Sequence, residues 1–466
     1  MARLTANLKA MFLLIVIFMY SDNLFSQETE VLSLNDCIKI AMEKNSTLKI
    51  SRMTNESADK DVLGSYSGIL PSISASANTG KSESGPREYL GDAPVGIDTT
   101  TGNVIYQQRL ITSERTSRKF NSAGLTLNQN IFDGGVWWNN IRKAKTDRLS
   151  AEYGLEADQN DIILQVEQAF FDLNKQEKLL EVDELAVSRS QAQLDRTEKM
   201  YELGATAQLD VFQARVNLGN DRIALLQQEN AVGQAKKNLN LVMGRDPFTP
   251  IKVSSKLELE PGLPESQELI NSALENQPGI MQNEADIKSR DLSVSLAKGI
   301  FYPNFYGYVD YRRSNEDLNR VYSNYDKNYS VSYGFGVSLN IFNGFNDYVR
   351  VQKAKIAKRS AEENFEAYKR NLASEVEQYY ANYKSYQDII EINRHNLDAA
   401  KEEVRLAEER YQIGAGTFLE VREAQVNLTR AEQTLIAAQF NARIVLAQLD
   451  NALGTSYSNF ATGSAQ

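Results

Sequence analysis

The sequence predicts a mixed helical and β-barrel membrane protein: an internally duplicated chain of long α-helical coiled-coil hairpins with four β-strands, too few to close a barrel alone. Three observations lead there. Asn130-Ile131-Phe132-Asp133-Gly134 returns 210 positions on as Asn340-Ile341-Phe342-Asn343-Gly344, and Tyr201-Glu202-Leu203-Gly204-Ala205 returns as Tyr411-Gln412-Ile413-Gly414-Ala415. Within each half, apolar residues fall seven apart over a long stretch, and just upstream they alternate with a period of two. The repeated unit is too long for a solenoid and reads as one half of a larger architecture.

Residues 1–27 read as a cleaved export signal. Arg3 and Lys9 precede the apolar run Met11 to Tyr20, which is shorter than the roughly 20 residues a spanning helix needs. Residues 28–70 form an N-terminal helical segment. It contains Cys37, the only cysteine, which is too far from the expected cleavage point for lipidation and is read as a core position. A single cysteine also excludes an intramolecular disulfide, so packing and assembly must stabilise the exported protein.

Residues 71–132 are the first strand pair. Ile73, Ala75 and Ala77 alternate with serines, and Ala123, Leu125, Leu127, Gln129 and Ile131 alternate with Gly124, Thr126, Asn128 and Asn130. Between them Gly80 to Lys119, rich in Gly, Pro, Ser and Thr, reads as a long exposed loop. Residues 301–343 repeat the arrangement: Phe305, Val309 and Tyr311 lead one strand, and Val331, Tyr333, Phe335, Val337, Leu339 and Ile341 the next. One face of each strand is apolar and the other small and polar. In lipid, open sheet edges are not tolerated, so four strands require several copies to share one barrel, and three would supply twelve.

Residues 133–245 and 344–454 are the two helical hairpins. Val166, Leu173, Leu180, Val187, Leu194 and Tyr201 form a seven-residue seam, matched by Val376, Tyr383, Ile390, Leu397, Val404 and Tyr411. Each outgoing helix ends at a glycine, Gly204 or Gly414, and each return helix starts near Asp210 or Glu420. Residues 246–300 link the halves and hold the equatorial helices of the second, and 455–466 form a C-terminal tail.

Some functions are excluded by what is missing. The formal net charge of −10 argues against a nucleic-acid surface. His395, the only histidine, lies two residues before the seam residue Leu397 and reads as a solvated helix residue. No nucleophile with a base, phosphate loop or metal-spaced cluster accompanies it, so neither an enzyme nor a cofactor is expected. Trp137 and Trp138 follow the strand end, either as membrane-interface anchors or as a local cap on the strand-to-helix junction. A non-conducting coiled-coil envelope protein or adhesin is the alternative reading.

Taken in order and spacing, several motifs resemble the outer-membrane efflux protein family, the TolC-like channels of Gram-negative envelopes. They are Leu34-Asn35-Asp36-Cys37-Ile38 with Asn45, Leu70-Pro71-Ser72-Ile73, Asn130 to Gly135, and the tip pattern Tyr201-x-x-Gly204 to Asp210-Val211 with its copy Tyr411-x-x-Gly414 to Glu420-Val421. The resemblance implies a homotrimer in outer-membrane lipid with a helical tunnel across the periplasm. It also implies a periplasmic adaptor (membrane fusion) protein and an inner-membrane RND or ABC transporter as partners, docked at the tips: Leu203, Gly204, Ala205 and Asp210 of the first, Ile413, Gly414, Ala415 and Gly416 of the second. Glu420 and Glu423 take the positions of the family's acidic entrance gate. Gly416 stands where the family's latch arginine lies, and Arg422 is the candidate substitute.

Overall fold

Main-chain pairing and a polar cap start the described chain. After the two-residue strand β1 (Val31–Leu32), Ser33 caps helix α1 (Leu34–Lys44): its hydroxyl accepts from the Asp36 N–H at 3.2 Å, and the Asp36 carboxylate accepts from the Ser33 N–H at 3.0 Å. Asn45 interrupts the helix, donating its side-chain amide to Val242 O at 2.8 Å, and α2 (Ser46–Ser65) follows. These contacts come from a computed structural model that describes residues 31–254 and 262–463. The signal expected at 1–27 lies outside the described residues.

The remaining elements follow in chain order: β2 (Ser72–Ser84), β3 (Arg87–Ile97), β4 (Val104–Ser113), β5 (Thr116–Asp133), α3 (Val136–Glu202), α4 (Gln208–Val242), β6 (Lys252–Val253), α5 (Ser266–Asn276) and α6 (Pro278–Gly299). After them come β7 (Asn304–Asn315), α7 (Leu318–Tyr322), β8 (Tyr329–Ser338), α8 (Asn346–Gln412), α9 (Phe418–Ala452) and α10 (Ser456–Gly463). Both long helices, α3 and α8, have 67 residues, and both return helices, α4 and α9, have 35. The 210-residue echo is therefore kept at all eight helix ends. At about 1.5 Å per residue α3 and α8 are each roughly 100 Å long.

The chain divides into two compact units. One comprises residues up to Glu56, Ser150–Glu284 and the chain from Glu363; the other comprises Ser57–Leu149 and Ala285–Glu362. In the first, β1 pairs in parallel with β6, and Cys37, Ile38 and Ala41 of α1 pack against Ile163, Val166, Phe170 and Leu173 of α3 with Leu239 of α4. Cys37 is fully buried, and burial pushes its thiol up to about 12. The second repeat builds the corresponding cluster from Leu269 and Ala273 of α5 with Leu372, Val376 and Leu449.

The second unit holds an antiparallel sheet in the order β2-β5-β7-β8. Ile73 pairs with Leu127, Leu125 with Tyr311 and Val309 with Tyr333, so all six side chains share one face. The opposite face is polar, and there Thr126 Oγ1 donates to Asp310 Oδ1 at 2.7 Å. Among the described residues the outer edges, β2 and β8, have no further partner strand. At the exit of β5, Gly134 has φ +73°, and a Cβ there would sit 2.4 Å from Gly299 O, so only glycine allows α6 this close.

Two expectations need correction. The segment Gly80 to Lys119, expected as a long exposed loop, is exposed but largely strand: β2 and β5 run into it, and β3 and β4 form an antiparallel hairpin whose register shifts between Pro94 and Gly96. Backbone pairing, which tolerates this composition, organises it. The alternation expected to run to Ile341 also stops early, at Ser338, because Gly344 and Phe345 adopt positive φ in the turn that feeds α8. Among the described residues no helix is long and apolar enough to cross a membrane.

Candidate functional site at the hairpin tips

Both tips close with the same main-chain device. Gly204 has φ +72° and Gly414 φ +74°; Ala205 N–H donates back to Met200 O at 2.8 Å and Ala415 N–H to Arg410 O at 2.9 Å. This is the left-handed helix end that glycine adopts without a Cβ clash. Leu203 and Ile413 project into solvent beside these glycines, at 84% and 80% exposure, leaving an apolar side chain free at each tip.

Beyond that the tips differ. At the second, Thr417 Oγ1 accepts from Glu420 N–H at 3.2 Å, so a hydroxyl caps α9 and the Glu420 carboxylate is not used in capping. At the first, Ala207 occupies the cap position, and the Asp210 carboxylate itself accepts from Ala207 N–H at 3.3 Å and from the Thr206 hydroxyl. Glu420 lies 3.8 Å from Arg410, whose guanidinium also donates to Ala415 O at 3.1 Å. Glu420 and Glu423 are both exposed, one helical turn apart on α9. Gly416 N–H donates to Arg410 O at 3.0 Å, closing the turn with no side chain of its own.

Arg422 points inward. Its two terminal nitrogens grip the Asp221 carboxylate of α4 at 2.8 and 2.9 Å, and one reaches Ser190 Oγ of α3 at 3.3 Å. Ser190 in turn donates to Asp221. Higher up, Arg189 Nη2 contacts Thr429 at 3.0 Å and Glu432 at 3.2 Å, and Gln433 donates to Asp183 Oδ1 at 2.9 Å. Burial pushes the Asp183 carboxyl above its ordinary value, the Gln433 hydrogen bond opposes it, and the charge of Asp221 adds to it. A polar seam thus joins the first hairpin to α9. An apolar patch next to the tips, Leu194, Val211 and Leu218 with Tyr411, Phe418 and Val421, completes the contact.

Sequence reasoning singled out the tips, Glu420, Glu423 and Arg422, and the structure brings Glu420 and Glu423 to the start of α9 and turns Arg422 to the first hairpin. It missed Asp183, Arg189, Ser190 and Asp221. The available signal was a second sevenfold series on α3, polar where the first is apolar: Asp183, Ser190 and Thr197 are each at most 7% exposed. Farther back on α3, Asn160, Glu167 and Asn174 continue the buried polar spacing. His395 is exposed, and among the described residues no group of three or more His, Cys, Asp or Glu could hold a metal.

Trp137 and Trp138 belong to the other unit. Asp133 Oδ2 accepts the Trp137 N–H at 2.9 Å, starting α3, and the two rings meet edge to face with centroids 5.7 Å apart. Trp137 packs against Gly68, where a Cβ would come within 2.8 Å of its own, while Trp138 is 55% exposed. Trp137 is the packed ring of the pair and Trp138 the exposed one.

The family profile described as outer membrane efflux protein matches residues 37–245 and 269–455. The probable efflux pump outer membrane protein TtgC of Pseudomonas putida is 24% identical over 314 residues, 66% of this chain and 63% of TtgC, so the chain spans less than two thirds of that relative. The outer membrane efflux protein BepC of Brucella suis is 21% identical over 89% of this chain and 83% of its own length. In fold the chain is similar to the Campylobacter jejuni CmeC outer membrane channel, with a TM-score of 0.76 at 18% identity over 94% of each chain.

Proposed function

The chain belongs to the outer membrane efflux protein family, and from that premise we propose that three copies make a passive exit duct through the outer membrane. The observation that supports the proposal is the four-stranded sheet, apolar on one face and polar on the other, with both edges unpaired among the described residues. Three such sheets joined edge to edge give a closed twelve-stranded barrel with the apolar face toward lipid and the polar face toward the lumen. The helices continue the duct into the periplasm. Solutes or polypeptides delivered by an inner-membrane transporter of the RND or ABC class, with its periplasmic adaptor, pass through without covalent change.

The adaptor docks on the tips, where Leu203 and Ile413 offer apolar contacts. Glu420 and Glu423 stand at the entrance, and three copies place six carboxylates there, a ring that favours cations. Arg422 holds the second hairpin to the first through Asp221 and Ser190 and serves as the latch of the resting entrance. Trp138 anchors the junction at the membrane interface, with Trp137 as its support.

Purified full-length protein in a planar bilayer tests this reading. Cation-selective conductance is expected, with selectivity lowered by Glu420→Gln together with Glu423→Gln. Folded trimers that never conduct, even with the latch removed by Asp221→Ala, would instead identify a structural envelope protein.

A further inference from the structure

Arg313 stands near the end of β7, on the apolar face of the sheet, yet it is only 4% exposed. Its register partners are Ala123 of β5 and Tyr329 of β8. The β7–β8 connection wraps its guanidinium: Nη2 faces the carbonyls of Ser323 at 2.6 Å, Asn324 at 2.9 Å, Lys327 at 3.2 Å and Arg320 at 3.4 Å, and the Tyr325 ring centre lies 4.8 Å from Cζ. Nε and Nη1 meet no acceptor among the described residues. A buried guanidinium with idle donors favours an oxyanion, and its planar fork suits a phosphate.

Beside this cation runs a trough of about 410 Å³. Small side chains, Ala75, Ala77 and Ala123, form its floor with Leu125, and Tyr322 and Tyr325 of the connection form its wall. Val321, 1% exposed, also lines it and fixes the connection in place. Elsewhere on the same face large residues such as Ile73, Tyr333 and Phe335 stand out at 70% exposure or more. The trough is a recess in an otherwise filled apolar surface, with the Arg313 side chain at one end.

We propose that this recess binds a phosphate-bearing membrane lipid: the Tyr325 ring that shields the guanidinium gives way, the phosphate accepts from Nε and Nη1 of Arg313, and an acyl chain lies over the alanine floor. The proposal rests on the reading above, in which this face of the sheet meets lipid. β7 starts next to α6 and ends at the connection to β8, at the far end of the sheet from α6, so the lipid is one of the outer leaflet. Charge complementarity selects the anionic headgroup and the recess selects the chain.

The test uses full-length protein in non-ionic detergent, with bound lipid counted by native mass spectrometry. Phosphatidic acid is expected to bind about tenfold more tightly than phosphatidylcholine of the same chains. Arg313→Gln should abolish that preference. Ala77→Phe should abolish it too, by filling the floor while leaving Arg313 and its carbonyl cup intact, and it decides the matter if Arg313→Gln does not fold. Equal binding of the two lipids by the unmodified protein, or a preference that survives Ala77→Phe, overturns the proposal. Inorganic phosphate competing as well as the lipid overturns it in favour of a free-anion site. Conductance is unchanged by either variant; a protein that shows the lipid preference but does not conduct refutes the duct and leaves the lipid site standing.

Discussion

The helices α3 and α8 have the same length, the same apolar seam and the same glycine end, but they treat their polar residues in opposite ways. On α3 Asn160, Glu167, Asn174, Asp183, Ser190 and Thr197 are buried. At the matching positions of α8, Arg370, Glu377 and Lys384 are exposed, Asn393 is half-buried, and Ala400 and Ala407 have no polar group. The second hairpin covers the polar side of the first, through Arg422, Glu432, Gln433 and Arg443. Among the described residues nothing covers the corresponding side of α8. Duplication supplied two copies of one hairpin, and divergence along a single stripe made one the base and the other the arm that rests on it.

The glutamate pair Glu167 and Glu377 gives the largest contrast. Burial pushes the Glu167 carboxyl from 4.5 up to about 7, against the pull of Arg443 at 3.8 Å, with Asp450 adding to the rise. A carboxyl that holds its proton more tightly when folded adds no penalty below pH 4.5, where it is neutral in both states. Stability is then lost as pH rises from 4.5 to 7. At pH 8 the penalty is about 3 kcal/mol. Glu167→Gln should therefore raise the unfolding free energy at pH 8 by about that amount and flatten the slope between pH 5 and 7. Glu377→Gln, at an exposed position, should leave the unfolding free energy at pH 8 unchanged. Equal pH profiles for the two variants, by circular-dichroism melting in detergent, would break the comparison.

Next in size is the Arg422 clamp. Its partner is Asp221, with side chains 21% and 15% exposed, and two charge-assisted hydrogen bonds join them. Arg422→Leu leaves a largely buried carboxylate with only the Ser190 hydroxyl as partner and should cost about 2 kcal/mol. Adding Asp221→Leu should restore part of this, which a double-mutant cycle reads directly. Single-channel recording should show either single variant conducting more than the parent protein. The position of Arg422 in the first repeat is Phe212, exposed and without such a role, and Phe212→Leu should leave conductance unchanged.

How much of this the sequence discloses follows from the range of the interactions. The seams, the strands of the sheet and the glycine ends are periodic or local, so Val166 to Tyr201 and Ile73 to Ala77 announce themselves. The polar stripe of α3 has the spacing of a solvated face, and only the position of α9 buries it. Arg422 and Asp221 are 201 residues apart, and nothing near either one names the other. Arg313 similarly looks like an ordinary barrel-rim arginine until the β7–β8 connection folds over it. The β3–β4 hairpin was hidden for another reason: its pairing is made by the backbone, which a Gly- and Pro-containing composition does not reveal.

The caps supply a smaller effect. Thr417→Ala removes the hydroxyl that accepts from Glu420 N–H and should cost about 1 kcal/mol. Ala207→Thr in the first hairpin should gain a comparable fraction, since it gives α4 the hydroxyl cap that α9 already has. If Thr417→Ala costs nothing in thermal melting, the Glu420 carboxylate has taken over the capping role that Asp210 has at the other tip. The two tips would then be interchangeable.

The smallest effect separates the two seam tyrosines. Tyr411 is 6% exposed, packed against the first hairpin, with a buried hydroxyl that has no partner among the described residues; Tyr201 is 44% exposed. A buried hydroxyl without a hydrogen bond is a desolvation cost, so Tyr411→Phe should stabilise the protein by about 0.5 kcal/mol, and Tyr201→Phe should do nothing. Destabilisation by Tyr411→Phe of about 1 kcal/mol or more has a different meaning, because only a bonded hydroxyl is missed to that degree. It would show that the assembled protein supplies an acceptor from a neighbouring copy, and that the second hairpin is held from outside its own chain as well as from within.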